Sequence, residues 1–286
     1  GTMANQVALR THTEPGDLVL VHRRAHIVIN EVGGGAAISG LSMHGFDSAD
    51  GTFTHGELEE ALGRPHPFNP DTLGSPATLL CVENTHNAGG GTVWPLRQIQ
   101  DVCSTARTAG LRCHLDGARL WHATAASGVS EREFAEPFDT VYVCFSKGLG
   151  APVGSALVGS RETIHRARRF KQQLGGGWRQ AGVVAAAALY ALEHHREGLD
   201  RDVREARRFA EAISALDGVS VDVEGVESNI VRFLVDTDAG ALATRLHENG
   251  LHMLPNGAHG LRAVIHRDVG SDDVTRSLEI LASCLP

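Results

Sequence analysis

Between residues 111 and 174 the chain alternates apolar runs of strand length with amphipathic helical ones, and this alternation restricts the fold more than any other feature. Strands are expected over Leu111–Leu115, Thr140–Phe145 and Ser155–Val158, with helices over Ala118–Ser127 and Glu162–Leu174. Upstream, a strand over Thr78–Val82 precedes a polar loop, Glu83–Trp94, and Pro95 suits the first position of a helix over Leu96–Thr108. Such an order implies a mostly parallel sheet with helices on both faces. In open sheets of this kind ligands gather at the carboxyl ends of the strands. Two chemically useful side chains fall there: Asp116, directly after Leu115, and Lys147, which follows the run ending at Phe145 after Ser146.

An ammonium group at the end of a buried strand is costly, because desolvation favours the neutral, nucleophilic amine. An amine and a carboxylate delivered by two strand ends suit pyridoxal phosphate: Lys147 forms a Schiff base with it and Asp116 faces its ring nitrogen. Each residue also has an ordinary reading, Lys147 as a surface lysine and Asp116 as a helix N-cap. Arg119, three residues after Asp116 and on nearly the same face if both are helical, is either a solvated charge or a clamp on the substrate carboxylate or the cofactor's phenolic oxygen. His26 is either a core histidine or a ring stacked on the cofactor. His86, in the polar loop, is either a loop hydrogen-bonder or a general base near a substrate hydroxyl. Gly1-Thr2 ahead of a helix over Met3–Thr13 offers backbone N–H groups to a phosphate, a weak signal alone. The chain holds 16 histidines, but His22 and His26 sit four residues apart around a strand end and no acidic residue stands at a zinc-like interval, so no metal is expected.

The remainder is less chemically marked. Pro15–Asp17 turns into a strand Leu18–Val21, Gly33–Gly35 reads as a tight loop, Thr54 and Glu57 form a capping box ahead of Leu58–Leu62, and Gly63–Pro76 reads as an irregular connection. Beyond Gly175–Gly177 come helices Gln180–His195 and Arg201–Leu216. Strands Val219–Val223 and Ile230–Val235, helix Ala239–Glu248, strands near Leu251–Leu254 and Leu261–His266, and a helix opened by Ser271 follow. A net charge of −8 argues against general affinity for nucleic acid or anionic membranes, and no apolar stretch reaches spanning length. Five widely spaced cysteines with no C-x-x-C pair fit a reducing cytoplasm.

Six stretches together resemble the threonine aldolases of the β-eliminating lyase family: Gly1-Thr-Met-Ala-Asn5, Ala25-His26-Ile27 with Glu31, Glu83-Asn-Thr-His-Asn87, His114-Leu-Asp-Gly-Ala-Arg-Leu120, Phe145-Ser-Lys-Gly-Leu-Gly-Ala-Pro-Val-Gly154 and Gly175-Gly-Gly-Trp-Arg-Gln180. The resemblance implies an α/β, aminotransferase-like fold of the fold-type I pyridoxal phosphate enzymes, with a mostly parallel sheet. Its large cofactor-binding domain is expected over residues 1–195 and a smaller α+β domain over 196–286. It further implies that Lys147 carries pyridoxal phosphate, Asp116 partners the ring nitrogen, His26 stacks on the ring, and Gly1 and Thr2 hold the phosphate. Arg119 and Arg262 would bind the substrate carboxylate and His86 would approach the β-hydroxyl. Arg179 would reach a neighbouring subunit's phosphate, as in the family's homodimers and homotetramers. The family carries residues before the Gly-Thr motif, so a truncated start is expected, and Gln172 stands where the family has a second basic residue.

The expected activity is cleavage of a β-hydroxy-α-amino acid to glycine and an aldehyde. A β-eliminating lyase, an aldolase for aryl-substituted β-hydroxy amino acids and a non-catalytic relative remain alternatives on the same scaffold.

Overall fold

The computed structural model describes residues 1–63, 68 and 71–286, so the expected connection Gly63–Pro76 lies partly outside the described residues. Six strands form the main sheet: β1 (Leu18–His22), β2 (Ser42–Phe46), β3 (Ala77–Glu83), β4 (Arg112–Gly117), β5 (Thr140–Cys144) and β6 (Ser155–Gly159). Their spatial order is β2-β1-β3-β4-β5-β6. All neighbours are parallel except β5 and β6, which pair antiparallel. The second sheet contains β7 (Val219–Ser220), β8 (Ile230–Val235), β9 (Leu254–Pro255) and β10 (Gly260–Val264), antiparallel throughout in the order β7-β8-β10-β9.

The main sheet is covered on both faces because its strands are apolar at consecutive positions. Leu20, Leu80 and Val82 enter one core with Trp94, Ile99, Val102 and Phe134, whereas Val19, Val21, Leu79 and Cys81 enter another with Leu9 and Ile27. Period-two alternation sends neighbouring residues to opposite faces, so an unbroken apolar run fills both. The helices that supply these layers are α1 (Thr2–His12), α2 (His26–Ile29), α3 (Gly34–Ser39), α4 (His55–Leu62), α5 (Leu96–Thr108), α6 (Leu120–Ser127) and α7 (Glu131–Ala135). After β6 come α8 (Arg161–Gln173), α9 (Gly182–His194), α10 (Leu199–Ile213), α11 (Ala239–Glu248) and α12 (Ser271–Cys284). Phe209, Phe233, Leu242, Leu261 and Leu281 centre a separate core beneath the second sheet.

Several expectations are corrected. Gly33–Gly35 is not simply a tight loop: Gly33 is left-handed and Gly34 starts α3. Gly35 packs against Met43, whose flexible tip would have to move for a Cβ to fit, since Cε would lie 2.4 Å away. Strand β2 was not anticipated, because this edge strand is largely exposed and carries no alternating apolar pattern. The strand expected over Val219–Val223 stops at Ser220, where Asp222 Oδ1 accepts the Gly225 N–H at 3.1 Å in a turn. Helix α6 starts at Leu120 rather than Ala118, so Asp116 and Arg119 are not three residues apart on one helix; Asp116 ends a strand and Arg119 is the N-cap. The N-cap of α1 is Gly1, and Thr2 is already helical.

Beneath the strand ends lies a buried polar relay. His114 is fully buried on β4, with Nε2 3.1 Å from Asn5 Oδ1 and Nδ1 2.9 Å from Thr140 Oγ1. His12 Nε2 contacts the same hydroxyl at 2.9 Å. Burial, with His12 nearby, lowers the His114 pKa to about 3, so the ring is neutral in the fold. An unfolded imidazole titrates near 6.5. The stabilisation from a neutral His114 is therefore complete above that pH and declines as pH falls from 6.5 toward 3. Wild-type protein should lose about 2 kcal/mol more stability between pH 7 and pH 5 than His114→Gln loses. Urea unfolding at the two pH values checks this, and equal losses would remove His114 from the titrating set.

Candidate active site

The strand order reverses direction at β1, whose two neighbours are β2 and β3, and crevices form at the carboxyl ends beside such a switch. A cavity of about 550 Å³ opens there. Its lining includes Gly1, Thr2, His26, Asp116, Arg119, Lys147 and Arg262, seven residues singled out by sequence. His86 and Arg179 are not in the lining. The connection after β1 delivers His26, β3 and its loop deliver Glu83 and Asn87, β4 delivers Asp116, the turn after β5 delivers Lys147, and β10 delivers Arg262.

Asp116 is 3% exposed. Its Oδ2 accepts from Asn5 Nδ2 at 2.7 Å and its Oδ1 from the Ala118 N–H at 3.0 Å, an Asx-type turn in place of an N-cap. Burial pushes this carboxyl above the usual range, and Asn5, Ala118, Lys147 and His26 draw it back only in part. A buried carboxylate in that balance gains from one more N–H donor of positive charge. Lys147 is half-buried, and among the described residues no carboxylate lies within ion-pair distance of its ammonium. Tyr142, in the same wall, finds no oxygen or nitrogen partner for its buried hydroxyl. An unpaired amine, an under-compensated carboxylate, an imidazole and the first turn of an 11-residue helix around one volume fit the donor set that pyridoxal phosphate requires.

Two further carboxylates were missed as site residues. Glu31 Oε1 lies 2.9 Å from His26 Nδ1 and accepts from Asn5 Nδ2 at 2.9 Å, while its Oε2 accepts from Gln6 Nε2 at 2.7 Å. The hydrogen bond to Glu31 raises the His26 pKa above 6.5 against the effect of burial. Glu83 faces Asp116 across the β3–β4 register and accepts the backbone N–H groups of His26 and Asn87 at 2.5 and 2.7 Å. Burial and Asp116 push its carboxyl up to about 7. His26, Glu31 and Asp116 bring ligand atoms within 4.8 Å of one another, a cluster that spacing around His22 and His26 did not suggest. Asn5 Nδ2 already bridges the two carboxylates.

His86 stands behind the wall. It is fully buried, its Nδ1 accepts the Gly89 N–H at 3.0 Å, and its ring meets His22 edge-on at 4.7 Å. Gly51, at φ +92°, presses against it so closely that a Cβ would lie 2.1 Å from Nδ1. Burial, then His22 and Arg24, lower its pKa to about 3, which makes it a poor base. The loop is welded here so that Asn87, the next residue, is held in the cavity. Asn87 Oδ1 accepts from Arg119 Nη1 at 3.1 Å and from Arg262 Nη1 at 3.0 Å.

Comparison with known proteins agrees with this geometry. The β-eliminating lyase family model matches residues 1–235. The chain is 35% identical over 288 residues to low-specificity L-threonine aldolase 1 of Arabidopsis thaliana, covering 97% of this chain and 78% of that protein. It is 34% identical over 276 residues to the low specificity L-threonine aldolase of Escherichia coli (strain K12), covering 96% and 79%. A solved threonine aldolase structure from Leishmania major superposes with a TM-score of 0.82 at 20% identity, over 99% of this chain and 82% of that one, and shares the fold. With its cavity at the switch point of a mostly parallel sheet and this likeness along its length, the chain belongs to the β-eliminating lyase family.

Proposed function

We propose that the protein is a pyridoxal phosphate-dependent aldolase that cleaves a threonine-like β-hydroxy-α-amino acid to glycine and an aldehyde. The observation that carries this reading is one cavity in which Lys147 and Asp116 face the same volume and two arginines converge on Asn87. When bound, pyridoxal phosphate supplies the ring that accepts the electron pair left on Cα as the Cα–Cβ bond breaks. Lys147 would anchor it, Asp116 would keep a proton at its ring nitrogen, His26 would stack on it, and Gly1 and Thr2 would offer N–H groups to its phosphate. Arg119 and Arg262, already aimed at one oxygen, take the substrate carboxylate and fix which bond at Cα is activated. Glu31 holds His26 Nδ1, and Nε2, which has no hydrogen-bond partner among the described residues, takes the β-hydroxyl proton. His86 positions Asn87 and takes no proton.

Residues 1–195 and 196–286 form the cofactor-binding and smaller domains in this reading. Self-association as a homodimer or homotetramer is supported by exposed apolar side chains, Val183 at 83% and Tyr190 at 57% on α9 and Trp178 at 59% ahead of it. Arg179, exposed next to Trp178, would then serve a neighbouring protomer's phosphate. Five buried, unpaired cysteines support a reducing, cytoplasmic setting. Among the described residues no helix is long and apolar enough to cross a membrane.

Borohydride reduction with pyridoxal phosphate, followed by peptide mass analysis, should place the label on Lys147, and Lys147→Ala should lose both label and turnover. Label on another lysine, or an active Lys147→Ala, would falsify the assignment. With threonine and a coupled acetaldehyde assay, His26→Ala should lower kcat about 100-fold or more, whereas His86→Gln should stay within about tenfold. Because His26 must be neutral to accept a proton and its pKa is raised, kcat/KM should climb with pH through a value above 6.5. The reverse ranking of the two variants would hand the proton to His86. Sedimentation should find an oligomer for wild type and monomer for Val183→Glu with Tyr190→Glu; a monomeric wild type rejects the assembly.

A further inference from the structure

The two arginines assigned to the substrate carboxylate leave a third, Arg232, without a task. It lies on β8 directly opposite Arg262 of β10, so the two guanidinium side chains leave the same face of the sheet, and both line the cavity. Like charges directly opposite in an antiparallel pair repel, and among the described residues neither has a carboxylate within ion-pair distance. Burial, then Arg24 and Arg262, lower the Arg232 pKa, so excess positive charge at this corner is uncompensated. Arg232 Nη1 donates to the Ala88 carbonyl at 2.6 Å. With its amide oxygen turned toward the guanidinium, Asn256 accepts from Nε at 3.0 Å and Nη2 at 3.1 Å. A guanidinium has five N–H donors, so one on Nη1 and one on Nη2 stay free while the plane is held still. Arg24 differs: it spends its donors on the carbonyls of Ser48, Ala49 and Ala88 and is outside the cavity lining.

We propose that Arg232 is a specificity residue that binds an anionic group at the far end of the substrate side chain, so that the enzyme prefers β-hydroxy-α-amino dicarboxylic acids. This rests on the aldolase reading above and names its substrate class. In such a substrate the α-carboxylate occupies Arg119 and Arg262, and the distal carboxylate reaches the free N–H pair of Arg232, whose fork suits two carboxylate oxygens. Cleavage breaks Cα–Cβ; the β-hydroxyl loses its proton and becomes the carbonyl of an aldehyde that retains the distal carboxylate, while Cα gains a proton to give glycine. The second product is thus an oxo acid, and the enzyme that disposes of it acts on an aldehyde bearing a carboxylate.

The test separates binding from turnover. Calorimetry on the cofactor-loaded enzyme compares aspartate with 2-aminobutyrate, neither of which has the β-hydroxyl that cleavage needs. Wild type should bind aspartate at least about tenfold more tightly, with the preference shrinking as salt is added. Arg232→Gln and Arg232→Leu should abolish the preference while 2-aminobutyrate still binds. A purely structural Arg232, holding Ala88 and Asn256, would weaken both ligands alike, and that result overturns the proposal. In turnover, the ratio of kcat/KM for 3-hydroxyaspartate over threonine should exceed one in wild type and fall at least about tenfold in either variant. If threonine is cleaved but aspartate binds no better than 2-aminobutyrate in wild type, the Arg232 assignment fails and the aldolase stands. If aspartate is preferred yet no hydroxy amino acid is cleaved, the anion site stands and the aldolase fails. Should these variants not fold, Arg232→Lys, which keeps the charge but loses the fork, should retain part of the aspartate preference, and an undiminished preference in it or none in wild type overturns the proposal.

Discussion

The hydrogen bond from Asn5 Nδ2 to Asp116 Oδ2, 2.7 Å long and shielded from water, sets the polar order of the cavity floor. Because both Asp116 and Glu31 accept from this amide nitrogen, the amide oxygen must point to His114, whose Nε2 then carries its proton. His114 Nδ1 is left as an acceptor, so Thr140 donates to it, and the same hydroxyl accepts from His12 Nε2. One buried carboxylate thereby orders an amide, two imidazoles and a hydroxyl drawn from α1, β4 and β5. An unsatisfied member would cost about 1–3 kcal/mol, so the relay locks the side chain of Asp116 to the helix that begins at the cavity's edge.

The cavity is polarised by construction. Asp116, Glu83 and Glu31 come from strand ends of the main sheet and the turn after α2, whereas Arg262 and Arg232 arrive on the second sheet. Arg119 crosses from the main-sheet side to join Arg262 at Asn87. Direct ion pairs across the cavity would neutralise the charges that catalysis requires. Instead the arginines are held by an amide and a carbonyl and keep unspent N–H donors, so a carboxylate ligand gains both those donors and the Coulomb attraction that a neutral oxygen lacks.

Much of this was legible in the sequence wherever a local pattern decides the outcome. Helices α5 and α11 lie at their expected bounds because Pro95 and Asp238 mark their starts, and the doubly covered strands announce themselves as unbroken apolar runs. Asp116 and Lys147 are readable because a strand end is a place as well as a sequence position. Glu31 and Glu83 fall in matching stretches without a role of their own and Arg232 in none, since each looks like an ordinary surface charge until tertiary contacts bury it or leave it unpaired. His86 shows the converse: motif position suggested chemistry, but nothing local reveals that Gly51 and His22 pack its ring into the wall.

That packing explains why a segment rich in polar residues can serve as the seam of the molecule. The loop after β3 is held from the main-sheet side by His86 against His22 and by Glu83 on the Asn87 N–H. From the other side Ser228 Oγ donates to the Gly91 carbonyl at 2.6 Å, Glu227 accepts the Val93 N–H at 2.7 Å, and Arg232 takes the Ala88 carbonyl. Both units therefore grip the same few residues, and Asn87 and Ala88, the two acceptors that aim the arginines, sit between the grips. Ångström-scale play in such a loop would misplace the substrate carboxylate relative to the bond to be broken, which is costly when rate depends on orientation. His86, packed between Gly51 and His22, holds that loop from the main-sheet side.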